Sequence, residues 1–110
     1  MVLQTEFILR PRNKGFHLVT QEIMQYLPEL PETGLLNLFI KHTSAALTIN
    51  ENADPDVVHD MLCGFEKVFP AEQFFYQHAE GNSHAHMKTT VVGPSQTLII
   101  HDGEIVFGIW

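Results

Sequence analysis

Cysteine, basic side chains and long apolar runs are all scarce in this chain of 110 residues. The single cysteine, Cys63, excludes a disulfide within the chain. Six Lys and Arg against 13 Asp and Glu give a formal charge of -7, so we expect no nucleic acid partner. No apolar run approaches the roughly 18 residues of a membrane span, and nothing resembles a signal peptide. We therefore expect no membrane contact and a reducing, cytoplasmic location.

The length and hydropathy predict one domain over residues 1–110, since 45% of the residues are hydrophobic and such a chain can bury a real core. Alternation of apolar and polar residues predicts a first strand over 3–10. Apolar density predicts further strands at 16–19, 35–41 and 45–50.

Three helices are predicted, over 20–30, 55–69 and 83–92. Asp54-Pro55 places an aspartate at the cap of the second helix and a proline at its first position. Gly93-Pro94 predicts the end of the third helix.

The clearest local signal is a hairpin in which 97–101 and 104–110 flank the two-residue turn Asp102-Gly103, a pair typical of type I′. Strands and helices do not alternate regularly along the chain. We therefore predict an α+β fold rich in antiparallel strands, and not a doubly wound parallel sheet.

A histidine cluster is the main chemical feature, with His78, His84 and His86 in nine residues and His42 in a second polar stretch. Within a helix, His84 and His86 would point to nearly opposite faces, so we expect only one of them to join His78 and His42 around an ion. Three imidazoles with a fourth position open are typical of catalytic zinc. The alternative is that these are loop histidines that only form hydrogen bonds.

An anion site is also predicted at the start of the third helix, where free N–H groups and the helix dipole favour phosphate or carboxylate. Asn82, Ser83 and His84 lie there, and Lys88 follows one turn later on the face of His84. The alternative for Lys88 is a solvated surface lysine.

Glu51 is the candidate carboxylate for proton transfer or metal binding, because Asp54 is assigned to a helix cap. Nine extended residues from His42 to Glu51 would span about 30 Å. The two could share a site within one chain only if the connection folds back near Ala46. Otherwise the neighbouring protomer must contribute, which suggests a site between subunits.

Other reactive residue types receive structural interpretations. His59 is assigned to packing in the core or at an interface. Cys63 is expected to be inert, because a mid-helix thiol without a polarising neighbour behaves as a small apolar group. Thr43 and Ser44 lack the G-x-S-x-G context of a serine hydrolase.

Several stretches closely resemble the YjbQ-like family, often labelled the secondary thiamine-phosphate synthase family. They are Lys41–Pro55, His59–Met61, Glu80–Lys88, Gly93 and Gly108–Trp110. The resemblance implies a small antiparallel-rich β-sandwich with three helices, assembled as a homotrimer with polar pockets between subunits. By position, the family's polar residues fall on His42, Thr43, Ser44, Glu51, Asn52, Asp54, His78, His86 and Lys88.

One departure from the family concerns the end of the chain. The family's closing motif is glycine-threonine-tryptophan followed by glutamine, whereas Gly108-Ile109-Trp110 ends this sequence. Members generally continue further, so we expect the family's C-terminal strands to be lacking here.

The resemblance implies a transferase that joins a hydroxymethylpyrimidine diphosphate to a thiazole phosphate. The expected ligands of a divalent ion, zinc or magnesium, are His42, His78 and His86. The expected contacts to the phosphorylated small molecule are Thr43, Ser44, Asn82 and Lys88. The expected catalytic residues are Glu51 and His42. The alternatives are a metal- or phosphometabolite-binding trimer without catalysis and, less favoured, a metal-dependent hydrolase.

Overall fold

A computed structural model describes residues 1–109 of the chain. In chain order the elements are α1 (Thr20–Met24), β1 (Thr33–Phe39), α2 (Pro55–Val68), α3 (Ser83–Val92), β2 (Ser95–His101) and β3 (Glu104–Ile105). The strands form one antiparallel sheet in the order β1-β2-β3. The α+β class and the three helices are confirmed. The described residues form a single sheet and not the two sheets of a sandwich.

Helices α2 and α3 begin where the sequence predicts. The Asp54 side chain accepts the N–H of Asp56 at 2.9 Å, and Pro55 occupies the first turn, where no intrahelical N–H is needed. Helix α3 ends at Val92 because Gly93 adopts a φ of 94°, a conformation that glycine reaches at little cost. Both helices therefore follow from local signals.

The hairpin turn is also confirmed. Asp102 and Gly103 have φ values of 51° and 77°, and a type I′ turn requires positive φ at both central residues. The N–H of Gly103 donates to the carbonyl of Glu32 at 3.0 Å, which holds the turn beside the start of β1.

The β1–β2 register sorts the side chains into two faces. Leu36 pairs with Leu98, and both point to the inner face, where Leu98 and Ile100 are buried. Leu35 pairs with Ile99 on the outer face, where their exposed fractions are 72% and 59%. The outer face thus exposes apolar side chains beside a polar group in which Asn37 donates to Ser95 and Thr97.

Helix α1 is shorter than predicted, ending at Met24 instead of near Leu30. The N–H groups of Tyr26 and Leu27 bond three residues back, which is a closing turn. Pro28 has no N–H to continue the helix and restricts the backbone of Leu27.

The strands predicted at 3–10, 16–19 and 45–50 are not formed, and β3 ends at Ile105 instead of continuing through 109; Trp110 lies outside the described residues. A strand requires a partner that pairs its N–H and C=O groups along its length. The segment 45–50 makes isolated hydrogen bonds and no ladder: the Leu47 N–H donates to the carbonyl of Gly93, the Leu47 carbonyl accepts from the Gln96 side chain, and the Asn50 side chain contacts the sulfur of Met61. The apolar pattern of these segments predicts extended chain but does not show which strand would pair with it.

Glu22 holds the N-terminal segment against α1. Its carboxylate accepts the backbone N–H and Nε of Arg10 at 2.7 and 3.0 Å and the guanidinium of Arg12 at 2.8 Å. The hydrogen bond from Arg12, followed by that from the Arg10 backbone, lowers the pKa of Glu22 to about 2, against the opposing effect of burial.

Among residues 1–109, no helix combines the length and apolar character needed to span a bilayer.

The two faces of β2 provide a matched test of the core. Ile100→Ala should lower the free energy of unfolding by about 3 kcal/mol, because Ile100 is 2% exposed and truncation leaves a cavity. The control Ile99→Ala, one residue away on the outer face, should lower it by less than about 1 kcal/mol. Urea unfolding of dilute protein measures both, and equal losses would contradict this assignment of faces.

The Glu22 interactions should make stability depend on pH. A carboxylate with a lowered folded pKa stabilises the protein above its unfolded value, and that stabilisation is lost as pH falls towards about 2. The difference in unfolding free energy between wild type and Glu22→Gln should therefore shrink as pH falls below about 4.5. The control Gln25→Ala, which removes no charge from this contact, should keep the wild-type pH dependence. An unchanged difference for Glu22→Gln down to pH 2 would refute this role.

Candidate functional site

An open pocket of about 510 Å³ lies between the segment before α3 and the first turns of α3. It is lined by Phe75, Tyr76, Gln77, His78, Ser83, His86 and Met87. The chain enters the site through a turn in which the N–H of Gly81 donates to the carbonyl of His78 at 3.1 Å, and Gly81 has a positive φ of 77°. Glycine at this position lets the loop fold back so that His78 faces the helix.

His78 and His86 lie edge to face, with ring centroids 5.3 Å apart and an interplanar angle of 76°. Two imidazoles bound to one tetrahedral zinc through nitrogens at about 2.0 Å would have centroids about 5 Å apart. Within residues 1–109, no group of three or more His, Cys, Asp or Glu side chains is arranged to hold a metal ion. The pair would therefore be an incomplete ligand set within one chain.

His42, the third predicted ligand, is exposed and does not line the pocket. Its Nδ1 accepts the Ser44 N–H at 3.0 Å and lies 3.1 Å from the Ser44 hydroxyl. The cause is topological, because the N–H of Ile40 donates to the carbonyl of Pro94, which places this loop beside the end of α3. The pocket lies at the start of α3, about 15 Å away along a helix of ten residues.

Glu51 and Thr43 also lie outside the pocket. The N–H of Glu51 is bound by the Asn50 side chain at 2.7 Å, and Asn50 in turn contacts the sulfur of Met61 on α2 at 3.2 Å. No hydrogen bond joins Glu51 to His42 in the described part of the chain. One chain does not unite the two expected catalytic residues.

His84 and His86 point away from each other, as helical spacing predicts. While His86 lines the pocket, His84 is buried, and its Nδ1 lies 3.2 Å from the ammonium of Lys88. Burial lowers the pKa of His84, and the positive charge of Lys88 lowers it further, while Glu66 acts in the opposite direction. His84 is thus favoured in its neutral form.

Lys88 is not the solvated lysine of the alternative interpretation. Its ammonium donates to Glu66 at 2.5 Å, and the second carboxylate oxygen of Glu66 is 3.3 Å from Lys14. These hydrogen bonds, that from Lys88 first, lower the pKa of Glu66 against the effect of burial. Lys88 does not line the pocket, so a phosphate there would have to draw it away from Glu66.

Asn82 occupies the N-cap position of α3 without capping it through its side chain. Its amide nitrogen donates to Glu80 at 2.7 Å, and its buried Oδ1 has no hydrogen-bond partner among residues 1–109. Ser83, the next residue, lines the pocket. The first N–H groups of α3 are therefore not satisfied by a side-chain cap.

The aromatic wall of the pocket was not predicted from the sequence. Phe75 and Tyr76 pack edge to face with centroids 5.0 Å apart, and the Tyr76 hydroxyl donates to the Pro70 carbonyl at 2.8 Å. The available signal was the run Phe74-Phe75-Tyr76 shortly before His78. Periodicity did not reveal it because the segment is irregular.

Comparison with known proteins gives a consistent result. The family described as UPF0047 protein YjbQ-like matches residues 5–110. The UPF0047 protein YugU of Bacillus subtilis is 45% identical over 93 residues, covering 84% of this chain and 70% of its own length. The UPF0047 protein YjbQ of Escherichia coli O157:H7 is 40% identical over 114 residues, covering 100% of this chain and 83% of its own.

Solved structures share the fold. A conserved hypothetical protein from Thermus thermophilus has a TM-score of 0.78 at 36% identity, covering 87% of this chain and 75% of its own. An uncharacterized conserved protein from Clostridium acetobutylicum has a TM-score of 0.70 at 49% identity, covering 73% of this chain. The match spans 61% of the Clostridium chain, which is under two thirds of its length.

The network beside α3 can be tested through the pKa of His84. Lys88→Met should raise that pKa, because it removes a positive charge that disfavours the imidazolium, although burial still keeps it below the ordinary value. Glu66→Gln should lower it further. NMR titration of the His84 ring protons measures both changes. Lys67→Met, which removes the lysine in the last turn of α2, should leave the His84 pKa in place. A fall of that pKa in Lys88→Met would contradict the assignment.

Proposed function

Because the chain belongs to the UPF0047 YjbQ-like family, we propose that its pocket binds a phosphorylated heteroaromatic small molecule. The proposed reaction is the transfer typical of thiamine-phosphate synthase, joining a hydroxymethylpyrimidine diphosphate to a thiazole phosphate. The observation that carries the proposal is the facing pair His78 and His86 in an aromatic-walled pocket at the start of α3. Imidazole, aromatic and helix-terminal groups match the phosphate and ring parts of such a ligand.

The ring of the ligand would pack on Phe75 and Tyr76. Aromatic faces favour planar heterocycles through stacked or edge-to-face contacts, and apolar walls with few polar groups are typical of small-molecule sites. Met87 adds a polarisable side chain to the same wall.

The phosphate groups would lie at the N-terminus of α3. N–H groups at the start of a helix, together with its dipole, favour anions, and the Ser83 hydroxyl is at the same position. The Asn82 side-chain amide would donate to phosphate only after leaving Glu80, to which it donates at 2.7 Å. Thr43, Ser44 and Lys88 contribute in this proposal only after rearrangement or from a neighbouring subunit.

Of the two divalent ions in the proposal, zinc fits the two imidazoles in part, whereas magnesium prefers oxygen ligands and would have to be held mainly by phosphate oxygens. His78 and His86 would supply two imidazoles, with the remaining positions filled by His42 of a neighbouring copy or by ligand oxygens. Such an ion would neutralise charge on the diphosphate leaving group. Glu51 would accept or deliver the proton.

A homotrimer with a completed β-sandwich is part of the proposal. The outer face of the sheet exposes Leu35, Phe39 and Ile99, and exposed apolar faces of this kind mark interfaces. His42 and Glu51 lie away from the pocket of their own chain, which supports a site shared between subunits.

The single free cysteine supports a cytoplasmic location.

The second candidate is a metal- or phosphometabolite-binding protein without catalysis. A specific observation favours it, because no carboxylate lines the described pocket and Lys88 is bound to Glu66. A pocket lined by two imidazoles, with no carboxylate or free ammonium beside them, can hold a ligand without turning it over.

Turnover and binding assays test the proposal together. Wild-type protein incubated with the two thiamine precursors should form thiamine phosphate, and a chelator should suppress it. His78→Ala and His86→Ala should each weaken zinc or pyrophosphate binding at least about tenfold in calorimetry, because each removes one of the two facing imidazoles. The control His101→Ala, an exposed histidine of β2, should bind as wild type does.

The pH dependence of binding separates the two ligand types. Zinc binds neutral imidazole, so its affinity should be lower at about pH 5.5 than at about pH 8, whereas an anion bound by imidazolium should bind more tightly at the lower pH. Binding without product would support the second candidate. If His78→Ala and His86→Ala both bind zinc and pyrophosphate as tightly as wild type does, both candidate functions are refuted.

A further inference from the structure

Three exposed side chains of α2, those of His59, Asp60 and Cys63, contact one another outside the pocket. The Sγ of Cys63 lies 3.6 Å from Nε2 of His59, whose Nδ1 lies 3.1 Å from the carboxylate of Asp60. His59 and Cys63 are four residues apart, a spacing that places side chains side by side on a helix. The premise that Cys63 has no polarising neighbour is therefore wrong.

We propose that Cys63 is a thiol-modification site that reacts with small, water-soluble disulfides, with His59 as its proton acceptor. The thiolate is the reactive form of cysteine, and an adjacent imidazole can take up its proton. Asp60 orients the ring, since a carboxylate at Nδ1 leaves Nε2 directed to the sulfur. Asp60 is thus a positioning residue.

The reaction is a balanced thiol–disulfide exchange. The Sγ proton of Cys63 passes to Nε2 of His59, and the thiolate attacks one sulfur of the small disulfide. One S–S bond forms as the other breaks, and the departing thiolate takes the proton from His59 and leaves as a thiol. Cys63 is oxidised to a mixed disulfide while the small disulfide is reduced, so no further oxidant is needed.

The surroundings favour a small soluble reactant over an enzyme substrate. Cys63 is exposed, and the His59 and Asp60 side chains are 71% and 79% exposed. None of the three lines the pocket beside α3 or the pocket formed by residues 11–17. An exchange reaction requires access and a proton acceptor, and both are present.

The charged groups near the pair belong to α2 and to the two lysines that bind its Glu66. Asp56, Glu66 and Lys67 lie within one turn of His59 or Cys63, and Glu66 is bound by Lys14 and Lys88. No charged side chain from another segment contacts His59 or Cys63 within the described residues. His59 is therefore the group whose removal should change the reactivity of the thiol.

Because Cys63 is the sole cysteine, its reaction can be followed in the full chain without interference. Dithiodipyridine gives the rate from absorbance, and oxidised glutathione gives the adduct by intact mass. Because His59 accepts the thiol proton in this proposal, His59→Gln should slow the reaction by about tenfold at pH 7. The rate difference should narrow as pH rises, because hydroxide then replaces the imidazole as proton acceptor.

Matched variants complete the test. His101→Gln removes an equally exposed histidine that also adjoins an aspartate, and it should react at the wild-type rate. Cys63→Ser should form no adduct. Asp60→Asn keeps the thiol and the imidazole and should slow the reaction by about two- to threefold at pH 7. This variant tests the proposal if His59→Gln does not fold. Equal rates at pH 7 for wild type, His59→Gln and Asp60→Asn would overturn the proposal, whatever the result of the turnover assay at the pocket.

Discussion

The antiparallel pairing of β1 with β2 is the constraint on which the positions of the other elements depend. It runs from Thr33 opposite His101 to Phe39 opposite Ser95. Beyond Phe39 the contact continues through the N–H of Ile40 on the carbonyl of Pro94. Since only Gly93 and Pro94 separate α3 from β2, this pairing also positions the end of α3. The loop that carries His42 is thereby held at the opposite end of α3 from the pocket.

Helix α3 performs two roles because its histidines are two residues apart. One face presents His86 to the pocket, where it meets His78. Another face buries His84 beside Lys88, which is bound to Glu66 of α2. The side chains of Lys88 and Glu66 are only 18% and 29% exposed. Their opposite charges offset the cost of removing each from water. The same network joins Lys14 of the N-terminal segment to both helices.

Elements with local signals were predicted well, and elements that need distant partners were not. The cap at Asp54, the glycine at Gly93 and the turn at Asp102-Gly103 each act through neighbouring atoms, so α2, α3 and the hairpin turn follow from the sequence. The strands expected at 3–10 and 45–50 depend on a partner that periodicity does not specify. Hence the α+β class was predictable, while the number of paired strands was not.

For the candidate site, the sequence by itself determined which chemical groups are available and that His84 and His86 must point to different sides of one helix. Tertiary structure decided that His78 meets His86, that Lys88 binds Glu66, and that His42 and Glu51 lie outside the pocket. The proximity of His59 to Cys63, by contrast, follows from their spacing of four residues on α2, although Cys63 was predicted to be inert. The physical reason is that helical spacing and caps are set by covalent geometry over a few residues. Contacts between segments depend instead on register and burial across the whole fold.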